Sequence, residues 1–350
     1  MEGPLWQHLL LPTIKILLLL FLGIMPLITY LVLAERKILG FIQARVGPNR
    51  VGPWGLLQPI ADVLKLLVKE DVIPRQAIKW AFILAPCLVV GPAFVIFAVI
   101  PFGPPAEEAG SRFDWFVTDI NVGILFVIAL ATLGVYGIIL GGWASNSKFS
   151  LLGGLRSAAQ MISYEVPQGL ALVGPLLLAG SMSLVEIVEA QRASGMWFVV
   201  PQFVAFFIYL VAGVAESNRN PFDLPEAESE LVAGFHTEYT GMRFALFFLG
   251  EYANMIVISA VAVTLFLGGW LPPFESVEAL SFLHLDFLPG GLAGLLWFSL
   301  KVFVFLFAYI WFRGTFPRYR FDQLMDLGWK WMLPLALANI AVTGLVKVLL

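Results

Sequence analysis

Apolar residues recur along this chain in eight runs of about 20 residues each, separated by shorter polar connections: Thr13–Ala34, Ile78–Ile100, Val117–Leu140, Leu155–Leu178, Met196–Ala215, Arg243–Phe266, Leu292–Trp311 and Trp331–Leu350. At a rise of ~1.5 Å per residue, such a run crosses the ~30 Å hydrocarbon core of a bilayer. Lipid offers no partner to backbone N–H and C=O groups, so each run has to satisfy its own by coiling into a helix. The pattern predicts an all-α, polytopic membrane protein, with residues 1–350 forming a single membrane domain of about eight transmembrane helices.

One apolar segment breaks the spanning pattern. Between Gly55 and Lys69, helical spacing places Leu56, Leu57, Ile60, Val63, Leu64, Leu67 and Val68 on one face, and Gln58, Asp62, Lys65 and Lys69 on the other. Its 15 residues would rise only ~22 Å. They are too short to cross, and residues 55–69 are expected to lie at the interface as an amphipathic helix. The preceding Gly47-Pro48-Asn49-Arg50-Val51-Gly52-Pro53 supplies the turn that redirects the chain.

The first, third, fifth and seventh connections hold nearly all the Lys and Arg, among them Arg36, Arg45, Lys148, Arg219, Arg313 and Arg318. The opposite connections hold only Arg112 and Arg192. Cytoplasmic loops carry the positive excess, so the long polar loops are expected on the cytoplasmic side and both termini on the periplasmic side. The N-terminus has no basic stretch ahead of its first apolar run, so helix one is expected to be retained.

Composition agrees and removes several classes of function. With 59% hydrophobic and 13% charged residues and a mean hydropathy of +0.88, the chain falls outside the range of soluble globular domains. A net charge of −3 leaves no basic field for nucleic acid. Cys87 is the single cysteine, and His8, His236 and His284 are scattered without ligand spacing. No disulfide framework, metal site or iron-sulfur cluster is expected, and any redox centre nearby belongs to another chain.

Candidate chemistry lies with ionisable groups inside apolar runs, which persist there only when paired or hydrated. Glu165 sits in the fourth run, Glu216 ends the fifth, Glu251 lies in the sixth and Lys301 in the seventh. Buried carboxyl groups can exchange protons near neutral pH, which a proton relay requires; the alternative is that each simply bonds one helix to another. The fifth connection, residues 216–241, is strongly acidic, with Glu216, Asp223, Glu226, Glu228 and Glu230 against Arg219. The interleaved Pro221, Phe222, Leu224 and Pro225 suit packing better than free solvation, and the line continues to Glu238 and Glu251. The arginines of the last loop, Arg313 to Arg320, are candidate counter-ions. Asp62 is either one half of a wet pair with Lys65 or a ligand-facing group.

Several strings together resemble a known family: Ala34-Glu35-Arg36-Lys37, Gly47-Pro48-Asn49 through Pro53, Gly55-Leu56-Leu57-Gln58-Pro59 to Asp62, Gly142-Trp143-Ala144-Ser145-Asn146-Ser147, Ser163-Tyr164-Glu165-Val166, the acidic loop to Glu238-Tyr239, and Arg313 to Asp322. In order and spacing they are similar to the H-type membrane subunits of bacterial NADH:quinone oxidoreductase, respiratory complex I, which correspond to mitochondrial NADH dehydrogenase subunit one. Phe235 stands where that family more often carries tyrosine, and Trp54 where it often carries another aromatic.

The resemblance implies a multi-pass subunit of the bacterial inner membrane that couples quinone reduction to proton translocation without itself carrying a redox centre or catalytic residue. It implies a quinone tunnel lined by Arg36, Arg45, Asp62, Phe222, Glu226 and Glu228, and a proton pathway through Glu165, Glu216, Glu230 and Glu251. The implied substrate is quinone, with iron-sulfur clusters and flavin held by partners. Those partners would be peripheral quinone-site and iron-sulfur subunits, small membrane subunits and antiporter-like subunits. Two rivals stay open on the residues alone: the homologous membrane subunit of an energy-converting hydrogenase, and a stand-alone transporter, which the absence of evident repeats disfavours.

Overall fold

The computed structural model describes residues 10–106, 114–224, 232–273, 288 and 291–349, and among these it contains helices and turns but no strand. Among the described residues, seven helices are long and apolar enough to cross a membrane: α1 (Pro12–Ile42), α3 (Lys79–Ile96), α4 (Gly123–Ala144), α5 (Lys148–Ala179), α8 (Gly241–Phe266), α9 (Leu292–Thr315) and α10 (Phe321–Leu349). An eighth apolar helix, α7 (Phe203–Glu216), has 14 residues. Together they occupy the eight predicted runs.

α8 is the central post. Every residue from Met255 to Phe266 is buried, and a helix apolar on all sides belongs inside a bundle. Its Ser259, Ala260, Ala262 and Thr264 are small enough for neighbouring helices to approach closely. α1 and α10 lie at the periphery and expose much of their apolar surface.

Several helices outrun their apolar segments. α5 begins at Lys148, seven residues before the run that predicted it, because its polar residues turn inward and find partners. Gln160 Nε2 donates to the carbonyls of Ala215 and Phe222, each at 2.8 Å, and Ser157 Oγ accepts from Asn218 Nδ2 at 3.1 Å. α1 continues to Ile42 and carries Glu35 within it. α7 starts later than expected, at Phe203, after the turns that follow Trp197. A further helix, α6 (Leu184–Ser194), occupies a stretch read as plain connection. Ser183 caps it by accepting from the Glu186 N–H at 3.3 Å, and Gly195 ends it at φ +67°.

The expected amphipathic helix forms as α2 (Gln58–Val68), behind a tight turn at Pro53–Gly55. Gly55 has φ +76°, and a Cβ there would lie 2.2 Å from the Pro48 carbonyl oxygen, so only glycine closes this turn. The apolar residues from Leu56 to Val68 are exposed in this chain, while Asp62 turns toward α1.

Candidate functional site

Where α1, α8, α9 and the connection after α7 meet, four charged groups are paired. Arg219 Nη1 donates to Glu35 Oε1 at 2.9 Å, and its Nε lies 2.6 Å from Glu251 Oε1. Arg313 pairs with the same Glu35 oxygen. Tyr252 donates its hydroxyl to Glu35 Oε2 at 2.7 Å and offers its ring face to Arg219, 4.4 Å from the centroid. Burial disfavours charge on Arg219, but Glu251 and then Tyr252 and Glu35 outweigh it and hold the guanidinium protonated. Two carboxylates and two guanidiniums thus form a neutral quartet, the condition under which charges persist in an apolar interior.

The connection between α7 and α8 reaches this cluster because it is packed. Phe222 and Leu224 are buried, as the interleaved apolar residues predicted. The Phe222 ring lies 5.5 Å from the rings of both Tyr319 and Tyr164. Asn220 Nδ2 donates to the Phe316 carbonyl at 2.9 Å, and the Tyr319 N–H to the Pro221 carbonyl at 3.1 Å. Arg318 pairs with Asp223 at 3.1 Å, so the last loop does supply a counter-ion. Burial nonetheless raises the Asp223 carboxyl above its ordinary range, against the pull of Arg318. Further along, the turn Gly234–His236 lies against α5 at Gly153, where a Cβ would come within 2.7 Å of the Gly234 backbone. His236 is buried among Phe235, Phe244 and Phe248, and burial lowers its imidazole to about 4. Glu226, Glu228 and Glu230 lie outside the described residues.

Two small cavities connect the carboxyl groups. The first, about 40 Å³, is lined by Glu251, Glu216, His236, Asn218 and Asn254. The second, about 30 Å³, is lined by Glu216, Asn254, Gln168 and Glu165. A water needs roughly 10–15 Å³ of such space, so each has room for a short chain of waters. Glu216 is 6% exposed and borders both cavities; the Gln168 amide is its hydrogen-bond partner. Glu165 accepts from the Thr132 hydroxyl between α4 and α5. Glu251, Glu216 and Glu165, three of the predicted proton residues, therefore stand in sequence along the walls of these two cavities, with Glu216 common to both.

Lys301 stands apart from those cavities. Its ammonium donates to the carbonyls of Leu267, Gly269 and Leu271 at 2.7, 2.9 and 2.6 Å and lies 4.4 Å from the Trp197 ring. Leu267 is 16 residues beyond Glu251 along the chain, roughly 24 Å along a helix. Lys301 caps the far end of α8.

On the near side, Arg36 Nη1 pairs with Asp62 Oδ2 at 2.7 Å, and Gln58 Nε2 donates to Asp62 Oδ1 at 3.2 Å. Lys65 is more distant from Asp62, at 3.8 Å. Arg45 is exposed and bonds Gln43 at 2.7 Å. Among the described residues, no group of His, Cys, Asp or Glu is arranged to hold a metal. Glu35, Arg219 and Tyr252 were not singled out from sequence. The one available signal was that Arg219 is the single arginine in an acidic connection.

Residues 14–344 match the family model described as NADH dehydrogenase. The chain is 54% identical over 330 residues to the second of the H-type NADH-quinone oxidoreductase subunits of Geobacter sulfurreducens, covering 93% of each protein. It is 53% identical over 323 residues to the H-type NADH-quinone oxidoreductase subunit of Magnetococcus marinus, covering 92% of this chain and 88% of that one. Against the corresponding NADH-quinone oxidoreductase protein of Rhodospirillum rubrum it is 52% identical over 342 residues, 97% of this chain and 96% of the relative.

Proposed function

The chain belongs to the NADH dehydrogenase family, and on that premise we propose that it is the membrane subunit of a bacterial inner-membrane NADH:quinone oxidoreductase that joins a quinone tunnel to the start of a proton pathway. The observation that carries this reading is that Glu251 of the buried quartet and Glu216 line one small cavity, and Glu216 and Glu165 line a second.

Quinone approaches from the bilayer between α1 and α2, past Arg36, Asp62 and Arg45, with its headgroup directed to a peripheral partner that delivers electrons from its iron-sulfur clusters and flavin. The distribution of Lys and Arg supports placing this end of the bundle on the cytoplasmic side. Phe222 serves the tunnel by anchoring the connection that bears Glu226, Glu228 and Glu230. Reduction of quinone to quinol takes up two electrons and two protons, and this change of charge is felt first by the acidic connection. Asp223 and Arg219 belong to that connection, so a proton gained or lost there alters the field at Glu35 and Glu251. The quartet passes the change across the first cavity to Glu216, and Glu216 passes a proton through the second cavity to Glu165. Thr132 holds Glu165 between α4 and α5, toward neighbouring small and antiporter-like membrane subunits.

Photo-crosslinking of the whole enzyme in native membranes with a quinone analogue tests the tunnel. Specific label between Glu35 and Lys69, with iron-sulfur and NADH-oxidising chains co-purifying, is the expected result. Absence of label together with a nickel-iron partner would move the chain to a hydrogenase and overturn the reading.

A further inference from the structure

A third cavity, about 820 Å³, opens between α1, α8 and α9 and borders none of Glu165, Glu216 and Glu251. On α1 it extends from Ile14 to Leu27, and on α9 from Leu295 to Leu306. At ~1.5 Å per residue these are lengths of roughly 20 and 17 Å, against ~15 Å for half of a ~30 Å hydrocarbon core. It is therefore a groove one leaflet deep. Glu35 lies eight residues past Leu27 on the same helix, roughly 12 Å further, so the groove ends short of the charged quartet.

The groove is apolar along its length and charged at one end. Lys15, at the start of α1, and Asp114, in the connection between α3 and α4, both line it, with Trp115 beside them. Asp114 Oδ1 accepts from the Ala106 N–H at 2.9 Å. Helix order brings the start of α1 and the α3–α4 connection to the same membrane face, and an indole at that level suits the headgroup region.

We propose that this groove holds one phospholipid with a phosphate and a primary ammonium in its headgroup, a phosphatidylethanolamine, with one of its two acyl chains lying along α1 and α9. Burying an acyl chain against helices instead of other lipid gains little, because both surroundings are equally apolar. Selectivity comes from the paired charges. Lys15 meets the phosphate, and Asp114 accepts from the ammonium, which carries three N–H donors. An anionic glycerol headgroup would answer Lys15 but set its phosphate against Asp114. A choline headgroup has no N–H to donate, and a quinone carries neither charge.

The test uses the whole enzyme complex in vesicles doped with a phosphatidylethanolamine bearing a photoreactive group in its acyl chain. Label is expected on the peptides spanning residues 14–27 and 295–306. A Cβ on Gly23 would meet only Leu19 Cδ1, at 3.6 Å, so Gly23→Phe can enter the groove without displacing backbone, and Ser299→Phe is a second filling variant from the opposite wall. Either is expected to lower labelling roughly fivefold or more, the scale of about 1 kcal/mol of lost affinity, with NADH:quinone activity unchanged. Lys15→Asp and Asp114→Lys are each expected to weaken labelling, and the double exchange to restore part of it. Unlabelled phosphatidylethanolamine should compete better than phosphatidylcholine or phosphatidylglycerol. Equal competition by all three, labelling indifferent to the filling variants, competition by a quinone analogue, or a helix of another subunit cross-linked to Gly23 would each overturn the assignment.

Discussion

Two sets of buried carboxyl groups in this molecule differ in what surrounds them. Glu35 and Glu251 face two guanidiniums and the Tyr252 hydroxyl. Glu216 and Glu165 are held by an amide and a hydroxyl, from Gln168 and Thr132. Protonating a carboxylate of the first set would leave the buried Arg219 without its full counter-charge, which is strongly unfavourable. Protonating one of the second set removes a charge and strands nothing. The first set is thus suited to holding charge and sensing new charge nearby, the second to carrying a proton. Burial of a carboxyl does not distinguish these roles; the presence of a cation does.

The hardest way to break this contrast is to remove the cation. Arg219→Met leaves Glu35 and Glu251 facing each other with Arg313 alone, and loss of one partner from a buried set costs about 3–5 kcal/mol. We expect the complex to assemble poorly, seen as a weak band on a native gel, with Arg219→Lys recovering part of the assembly. Full assembly and full activity of the methionine variant would show that the quartet is not what holds these helices together. The second set predicts a different failure. Glu216→Gln keeps size and hydrogen bonding, so assembly and quinone affinity should survive while proton translocation, followed by a pH-sensitive dye in vesicles, is lost. Wild-type pumping by that variant would remove Glu216 from the pathway.

The same contrast accounts for what was legible in the sequence. Lipid permits little except helices, so eight apolar runs became helices wherever they occurred, but their ends were hidden. α5 starts at Lys148 because Ser157 and the Gln160 amide nitrogen find partners at the end of α7 and in the α7–α8 connection, and no property of α5 alone reveals those partners. α6 is short and carries polar residues, so a search for spanning segments passes over it. Glu165, Glu216 and Glu251 were visible as charges within or ending apolar runs. Glu35 and Arg219 were not, because a charge near a helix end or in a connection looks like an ordinary wet residue. Only the closing of α1, α8, α9 and the connection around them makes them buried.

His236 stands between the two sets, on the wall of the cavity shared by Glu251 and Glu216. Burial puts its folded-state value at about 4, from an ordinary 6.5. Between those values the unfolded chain binds more protons than the folded one, so stability is fully present above pH 6.5 and falls as pH drops toward 4. On going from about pH 7 to about pH 5 the loss amounts to about 2 kcal/mol. We expect the midpoint of thermal unfolding of the assembled complex to fall over this range and His236→Gln to flatten the slope. An unaltered slope would place the acid sensitivity elsewhere, and not at Asp223, whose raised carboxyl makes folding more favourable as pH falls.

The smallest effect belongs to the exposed counterpart of the quartet. Arg36 and Asp62 are 2.7 Å apart, but their side chains are 49% and 23% exposed. A pair so open to solvent contributes about 0–1 kcal/mol. Asp62→Asn should therefore leave assembly and thermal stability nearly unchanged, in contrast to Arg219→Met. If the pair instead lines the path of the quinone, the same variant should raise KM for quinone severalfold with kcat largely retained, since it removes an interaction made on the way in and not at the reacting headgroup. A change in kcat at constant KM would place Asp62 with the charge-sensing quartet, and no change in either would return it to the role of a wet surface residue beside Lys65.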